Sequence, residues 1–146
     1  MGDYLKKTNS WLVHDEVYDT MDYGRSHIPA RAIHSLSKRY ILINSFFKKF
    51  GLPGLRIGWM IANEEVINLA TKAHNYLYLR VNIQYEKIAK RLISDTGANE
   101  WLIKNSELIH LRAENAITTL GVKNGFSWDR KPHGAMFLFP NVSEIV

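Results

Sequence analysis

The fourteen residues from Ser45 to Gly58 (SFFKKFGLPGLRIG) carry a hydroxyl, two amines and a guanidinium among three glycines. They begin where a short apolar run, Tyr40 to Asn44, ends. In open α/β sheets ligands collect at the carboxyl ends of strands, so this set of groups invites a phosphorylated ligand. Ser45 and Arg56 could hold the phosphate, and a desolvated Lys48 could act as a nucleophilic amine. On spacing alone, two surface lysines after a strand and a solvated loop arginine fit equally well. Two other stretches carry polar or aromatic groups at the ends of apolar runs: His14-Asp15-Glu16-Val17-Tyr18 and His133-Gly134-Ala135-Met136-Phe137-Leu138-Phe139-Pro140. Taken singly, Asp15 reads as a turn residue, Tyr18 as packing and the aromatic run as plain core.

Positioning these groups requires a sheet. Trp11 to Val17 starts apolar and ends in acids, as a strand does when it delivers polar residues to a sheet edge. Tyr40 to Asn44 reads as a strand buried on both faces of a parallel sheet. The 22 residues between them, with a helix-compatible patch from Ala30 to Ser37, are long enough for a crossover. A third strand is expected from Leu55 to Ala62, after the turn Gly51-Leu52-Pro53-Gly54.

Helices are expected next. Asn63 suits an N-cap, with Glu64 and Glu65 in the first turn and Val66, Ala70, Ala73 and Leu77 on one face. Asn82 would cap a second helix whose Ile88, Ala89, Leu92 and Ile93 face inward. A third helix from about Asn99 to Leu120, 22 residues and about 33 Å long, carries Leu102, Ile109, Ala113, Ile117 and Leu120 as a stripe and stops at Gly121. Phe126 to Trp128 and Ala135 to Phe139 then read as strands of a second, incomplete subdomain.

Composition bounds the chemistry. With 146 residues, 46% hydrophobic and 23% charged, the chain suits one globular domain and argues against disorder. The net charge of +5 is spread without a block of more than two or three like charges, and reads as a solvated surface. Zero cysteines exclude disulfides, thiolate metal sites and cysteine nucleophiles. The six histidines, His14, His27, His34, His74, His110 and His133, show no metal-ligand spacing. No apolar run is long enough to span a membrane, and the first ten residues are too polar for a signal peptide, so a soluble, cytoplasmic protein with no membrane or nucleic-acid partner is expected. Tyr76, Tyr78 and Tyr85 near Arg80 read as core or subunit contacts rather than base-stacking groups.

Three stretches together resemble the class I and II pyridoxal-phosphate aminotransferases. Ser45, Lys48, Gly51, Gly54, Arg56 and Gly58 fall in register with that family's lysine signature. Phe47 departs from it, standing where the family usually has Ser or Thr. His14 to Tyr18 resembles the family's Asp-Glu-x-Tyr strand end, and His133 to Pro140 the glycine-plus-aromatic strand that opens its small domain. The resemblance implies pyridoxal 5'-phosphate as cofactor, Lys48 as the Schiff-base lysine and proton shuttle, and Asp15 on the ring nitrogen. It further implies Tyr18 on the phenolic oxygen, and Ser45 with Arg56 on the phosphate.

The implied fold is α/β, a three-layer fragment of the fold type I large domain plus connecting helix and the start of the small domain. Residues 1–98 would belong to the large domain, 99–121 to the connecting helix and 122–146 to the small domain. The family's glycine-rich phosphate turn, stacking aromatic and substrate-carboxylate Arg are not matched, so an internal to C-terminal piece of a homodimeric enzyme is expected. Its substrates would be an amino acid and a 2-oxo acid. Another reaction of the same fold and cofactor (elimination, decarboxylation, cyclising synthesis) remains open, as does an inactive remnant or interaction fragment, and this chain alone is not expected to transaminate.

In the signature the phosphate arginine stands eight positions beyond the lysine, and Arg56 lies eight beyond Lys48 but seven beyond Lys49. Borohydride trapping of the cofactor-loaded protein followed by peptide mapping is therefore expected to label Lys48. Label on Lys49 would sink this register.

Overall fold

The computed structural model describes residues 2–23, 26–33 and 39–145. They form two compact units, one of Met1–Val17 with Ile28–Ala98 and the other of Tyr18–His27 with Asn99–Val146.

The first unit is built on a three-stranded sheet of order β1-β2-β3, with β1 at Leu12–Asp15, β2 at Tyr40–Ser45 and β3 at Gly58–Ile61. β2 runs parallel to β1, as its buried apolar run suggests, and antiparallel to β3, so the sheet is mixed. The reason lies in the connection after β2. A short helix α2 (Phe46–Phe50) and a 3₁₀ turn (Pro53–Leu55) fold back on themselves, and the Phe46 N–H donates to Ile57 O at 3.1 Å. The chain therefore re-enters the sheet at the end it left, which a parallel crossover cannot do. β3 also starts later than the apolar pattern suggests, because the 3₁₀ turn and the left-handed Arg56 (φ 49°) delay the extended backbone.

β3 approaches β2 closely at Gly58, which pairs with Ser45. A Cβ there would sit 2.7 Å from the Asn44 carbonyl oxygen, so only glycine allows this pairing. The core lies beside it: Phe46, Leu55 and Ala89 are buried, with Phe50, Leu52, Ile57, Trp59 and Leu92 packed against them. Phe46 and Phe50, one helical turn apart, stack at 5.4 Å, and Phe46 meets the Trp59 ring edge-on at 5.0 Å.

The capping expectations hold for two helices. In α3 (Glu64–Leu77) Asn63 Oδ1 accepts the Val66 N–H at 2.9 Å, and in α4 (Ile83–Ser94) Asn82 Oδ1 accepts the Gln84 N–H at 2.9 Å. Their inward faces are narrower than the periodicity implied: Val66, Ala70, Ala89 and Leu92 are covered, whereas Ala73, Leu77, Ile88 and Ile93 are exposed. An N-terminal helix α1 (Gly2–Lys7) carries no apolar stripe and was not anticipated.

The long helix α5 runs over Thr96–Asn124. It begins before Asn99 because Asp95 Oδ1 takes the Gly97 N–H at 2.8 Å, and it passes Gly121 to end at Gly125 (φ 70°). In the second unit its Leu102, Ile109, Ala113, Ile117 and Leu120 are half-buried as a stripe. Tyr23 stacks on His110 at 4.7 Å and donates to the carbonyls of Gly134 and Ala135, both at 3.2 Å; burial pushes its phenol pKa up.

The two expected C-terminal strands do not form. Among the described residues, single bridges, Asp22 with Gly134 and Ser127 with Asn141, stand in place of strand ladders, and Ala135 at φ 62° breaks the extension. Gly134 meets Met21 as Gly58 meets Asn44, with 2.7 Å from an added Cβ to the carbonyl oxygen. Of the helix-compatible patch at Ala30 to Ser37, Ala30–Ala32 is a 3₁₀ turn, while residues 34–38, His34 included, lie outside the described residues.

Replacing Gly58 by Ala should push the β2 backbone away and cost about 1–3 kcal/mol. A lower urea midpoint at unchanged slope in equilibrium unfolding checks this.

Candidate active site

The register of the sheet decides which groups meet. Asp15, the last residue of β1, is level with Ile43, and Ser45, the last of β2, is level with Gly58, the first of β3. At about 3.3 Å per residue, Asp15 stands about 7 Å short of Ser45 along the strand direction. The carboxyl ends of β1 and β2 and the amino end of β3 thus share one end of the sheet. Arg56 precedes β3 there, and Lys48 follows β2 on α2. A carboxylate, a hydroxyl, an amine and a guanidinium are gathered from four sequence positions spread over 42 residues.

Local contacts orient some of them. The Asp15 carboxylate is exposed, and its Oδ1 accepts the Val17 N–H at 3.2 Å. Ser45 occupies the N-cap position of α2 yet makes no side-chain cap bond, which leaves its hydroxyl for another partner. Lys48 Nζ lies 4.1 Å from the centroid of the Phe47 ring, whereas Lys49 Nζ lies 5.3 Å from that of Trp59, a ring of the core. The two lysines are therefore drawn to different aromatic faces, and Phe47 offers a ring where a hydroxyl was expected. Tyr18 belongs to the second unit, where its ring packs edge-on to Phe137 at 5.6 Å.

Two polar residues of this region escaped sequence reasoning. Glu16 is only 4% exposed; its Oε1 accepts the Ala30 N–H at 2.7 Å and lies 3.0 Å from His14 Nδ1. Asn44, 2% exposed, accepts the Ser45 N–H on its own Oδ1 at 2.8 Å. Strand alternation was the available signal: Glu16 shares its face of β1 with the half-buried His14, and Asn44 shares its face of β2 with the buried Leu42. Of the core or subunit contacts expected for the tyrosines near Arg80, core burial does not hold. Tyr76 is 92% and Tyr78 72% exposed in this chain, and Arg80 faces Glu86 at 3.5 Å. Among the described residues no cluster of three metal-ligating side chains occurs.

The fold matches that of the fold type I aminotransferases, and the chain belongs to the aminotransferase class I and II family, whose model matches residues 1–145. It is 31% identical over 152 residues to a probable aspartate aminotransferase of Methanocaldococcus jannaschii, covering 99% of this chain and 38% of that one. It is 29% identical over 148 residues to an aspartate aminotransferase of Bacillus subtilis, covering 99% and 36%. A solved PLP-bound putative aminotransferase from Clostridium difficile matches at TM-score 0.79 and 22% identity, covering 92% of this chain and 35% of that one. The chain spans little more than a third of the length of these relatives.

Arg56 offers a separation of ligand binding from folding. Its left-handed backbone costs about 1–2 kcal/mol, and replacement by Gly removes that cost while adding about 0.5–1 kcal/mol of chain entropy to overcome. Arg56→Gly should therefore leave stability within about 1 kcal/mol of the parent in thermal melts. A large loss would make the guanidinium a fold anchor.

Proposed function

We propose that this protein is a pyridoxal 5'-phosphate-dependent aminotransferase, moving an amino group between an amino acid and a 2-oxo acid, with Lys48 as the lysine that holds the cofactor. The observation that carries this reading is the strand register, which puts Asp15, Ser45, Lys48 and Arg56 at one end of the sheet. That donor set fits the cofactor: a hydroxyl and a guanidinium for a phosphate, an amine for an aldehyde and a carboxylate for a ring nitrogen. When bound, the cofactor supplies an electron sink for the negative charge that develops at the substrate's α-carbon.

The chain's own groups do the rest. The Lys48 amine would hold the cofactor at its aldehyde and, once freed, would take the substrate's α-proton and return it. Asp15 keeps a proton on the ring nitrogen, since a carboxylate at hydrogen-bond distance favours the charged form of that nitrogen. By the family resemblance, Tyr18 would donate to the phenolic oxygen. The Ser45 hydroxyl and the Arg56 fork bind the phosphate and hold the ring in place while the proton moves.

The same reading takes residues 1–98 as part of the large domain, 99–121 as the connecting helix and 122–146 as the start of the small domain. It takes the complete enzyme as a cytoplasmic homodimer. Family membership supports these assignments, and no helix among the described residues is long and apolar enough to cross a membrane.

The test adds the cofactor, an amino acid and an acceptor 2-oxo acid to the complete enzyme and follows visible absorption together with conversion of the amino acid to its 2-oxo acid. Asp15→Asn is expected to retain the absorption band but lose roughly 10²–10³-fold in turnover. Near-normal turnover in this variant, or no band and no oxo acid with the parent protein, would overturn the reading.

A further inference from the structure

At the end of β1 the side chains alternate: His14 and Glu16 on one face, Asp15 on the other. The Asp15 face is exposed and carries the candidate carboxylate. The opposite face is tied down. Glu16 is buried, its Oε1 receives the Ala30 N–H at 2.7 Å, and the same oxygen lies 3.0 Å from His14 Nδ1. Its own N–H donates to Ile43 O at 2.8 Å, continuing the β1–β2 pairing one residue beyond the strand. The residue after Asp15 is thus gripped through its backbone by β2 and through its side chain by the fully buried Ala30, 14 residues away in sequence.

We propose that Glu16 is a positioning residue for Asp15: by clamping the Ala30 N–H behind β1, it fixes the strand end so that the Asp15 carboxylate is presented to the cofactor's ring nitrogen. The inference rests on the function proposed above and adds to it a residue that never touches cofactor or substrate. A burial of this kind is costly for a carboxylate unless its oxygens are used, and here Oε1 accepts the Ala30 N–H. The geometry explains why the clamp needs a long side chain that ends in an acceptor oxygen. The Cβ of residue 16 points away from Asp15, so only a side chain that reaches across to Ala30 restrains the backbone without entering the site. Because hydrogen bonds at a reacting centre lose most of their value with misplacement of about 1 Å, a slack strand end would act on Asp15 alone.

The experiment uses the intact protein loaded with pyridoxal phosphate labelled with ¹⁵N in the ring, and reads the ring-nitrogen resonance and the cofactor dissociation constant. In Glu16→Ala the resonance should move toward that of the unprotonated ring, and affinity should fall about tenfold, or about 1.4 kcal/mol. Glu16→Gln keeps an oxygen for the Ala30 N–H and should stay close to the parent in both. Ala30→Pro removes the donor from the other side of the clamp, at a site that follows an extended Pro29 and opens a 3₁₀ turn, and should reproduce the Glu16→Ala shift even if Glu16→Ala does not fold. In an Asp15→Asn background, Glu16→Ala should add no further change, as expected for residues that act through one another.

An unmoved resonance in folded Glu16→Ala or Ala30→Pro protein, or full additivity with Asp15→Asn, overturns the inference while leaving the proposed function intact. Failure of the parent protein to bind the cofactor at all overturns both.

Discussion

Everything chemical in this chain depends on β2 being shared between a parallel and an antiparallel neighbour. The parallel pairing brings the end of β1 level with Ile43, and the antiparallel pairing brings the start of β3 level with Ser45. Had β3 been parallel as well, the residues before it, Arg56 among them, would lie at the opposite end of the sheet from Ser45 and Lys48. The whole arrangement is made possible by one missing side chain, because a Cβ on Gly58 would collide with the Asn44 carbonyl. The hairpin that delivers Arg56 is closed by the bond from Phe46 to Ile57 and weighted down by Phe46, Phe50 and Trp59 in the core.

The aromatic residues around α2 link packing to chemistry. Phe46 and Phe50 face the core, which leaves Phe47, Lys48 and Lys49 on the remaining surface of a helix barely more than one turn long. Each lysine then settles near a different ring, Lys48 by Phe47 and Lys49 by Trp59. The same short helix therefore anchors the fold through its phenylalanines and offers amines at its surface.

Buried polar groups supply the rigidity that apolar packing does not. Asn44 satisfies the Ser45 N–H, and Glu16 satisfies that of Ala30, so two backbone donors near the candidate site are held by side chains. Such bonds are directional, and they restrain the ends of β1 and β2 at the points where strand pairing gives out. In the second unit Tyr23 plays a comparable part, tying Gly134 and Ala135 through its hydroxyl while stacking on His110.

By itself the sequence determined the family, the three strands and the three long helices, because apolar periodicity, Asn caps and the spacing of Ser45, Lys48 and Arg56 are local properties of the chain. It did not determine strand direction. Whether β3 returns parallel or antiparallel depends on how residues 46–57 fold against the core, a balance of contacts between residues far apart in sequence. It also missed the C-terminal geometry, where Ala135 takes a left-handed backbone despite strand-like neighbours, and the roles of Glu16 and Asn44. An acidic or amide side chain carries no mark in the sequence of being buried; only a backbone N–H brought within reach by tertiary folding makes that burial affordable.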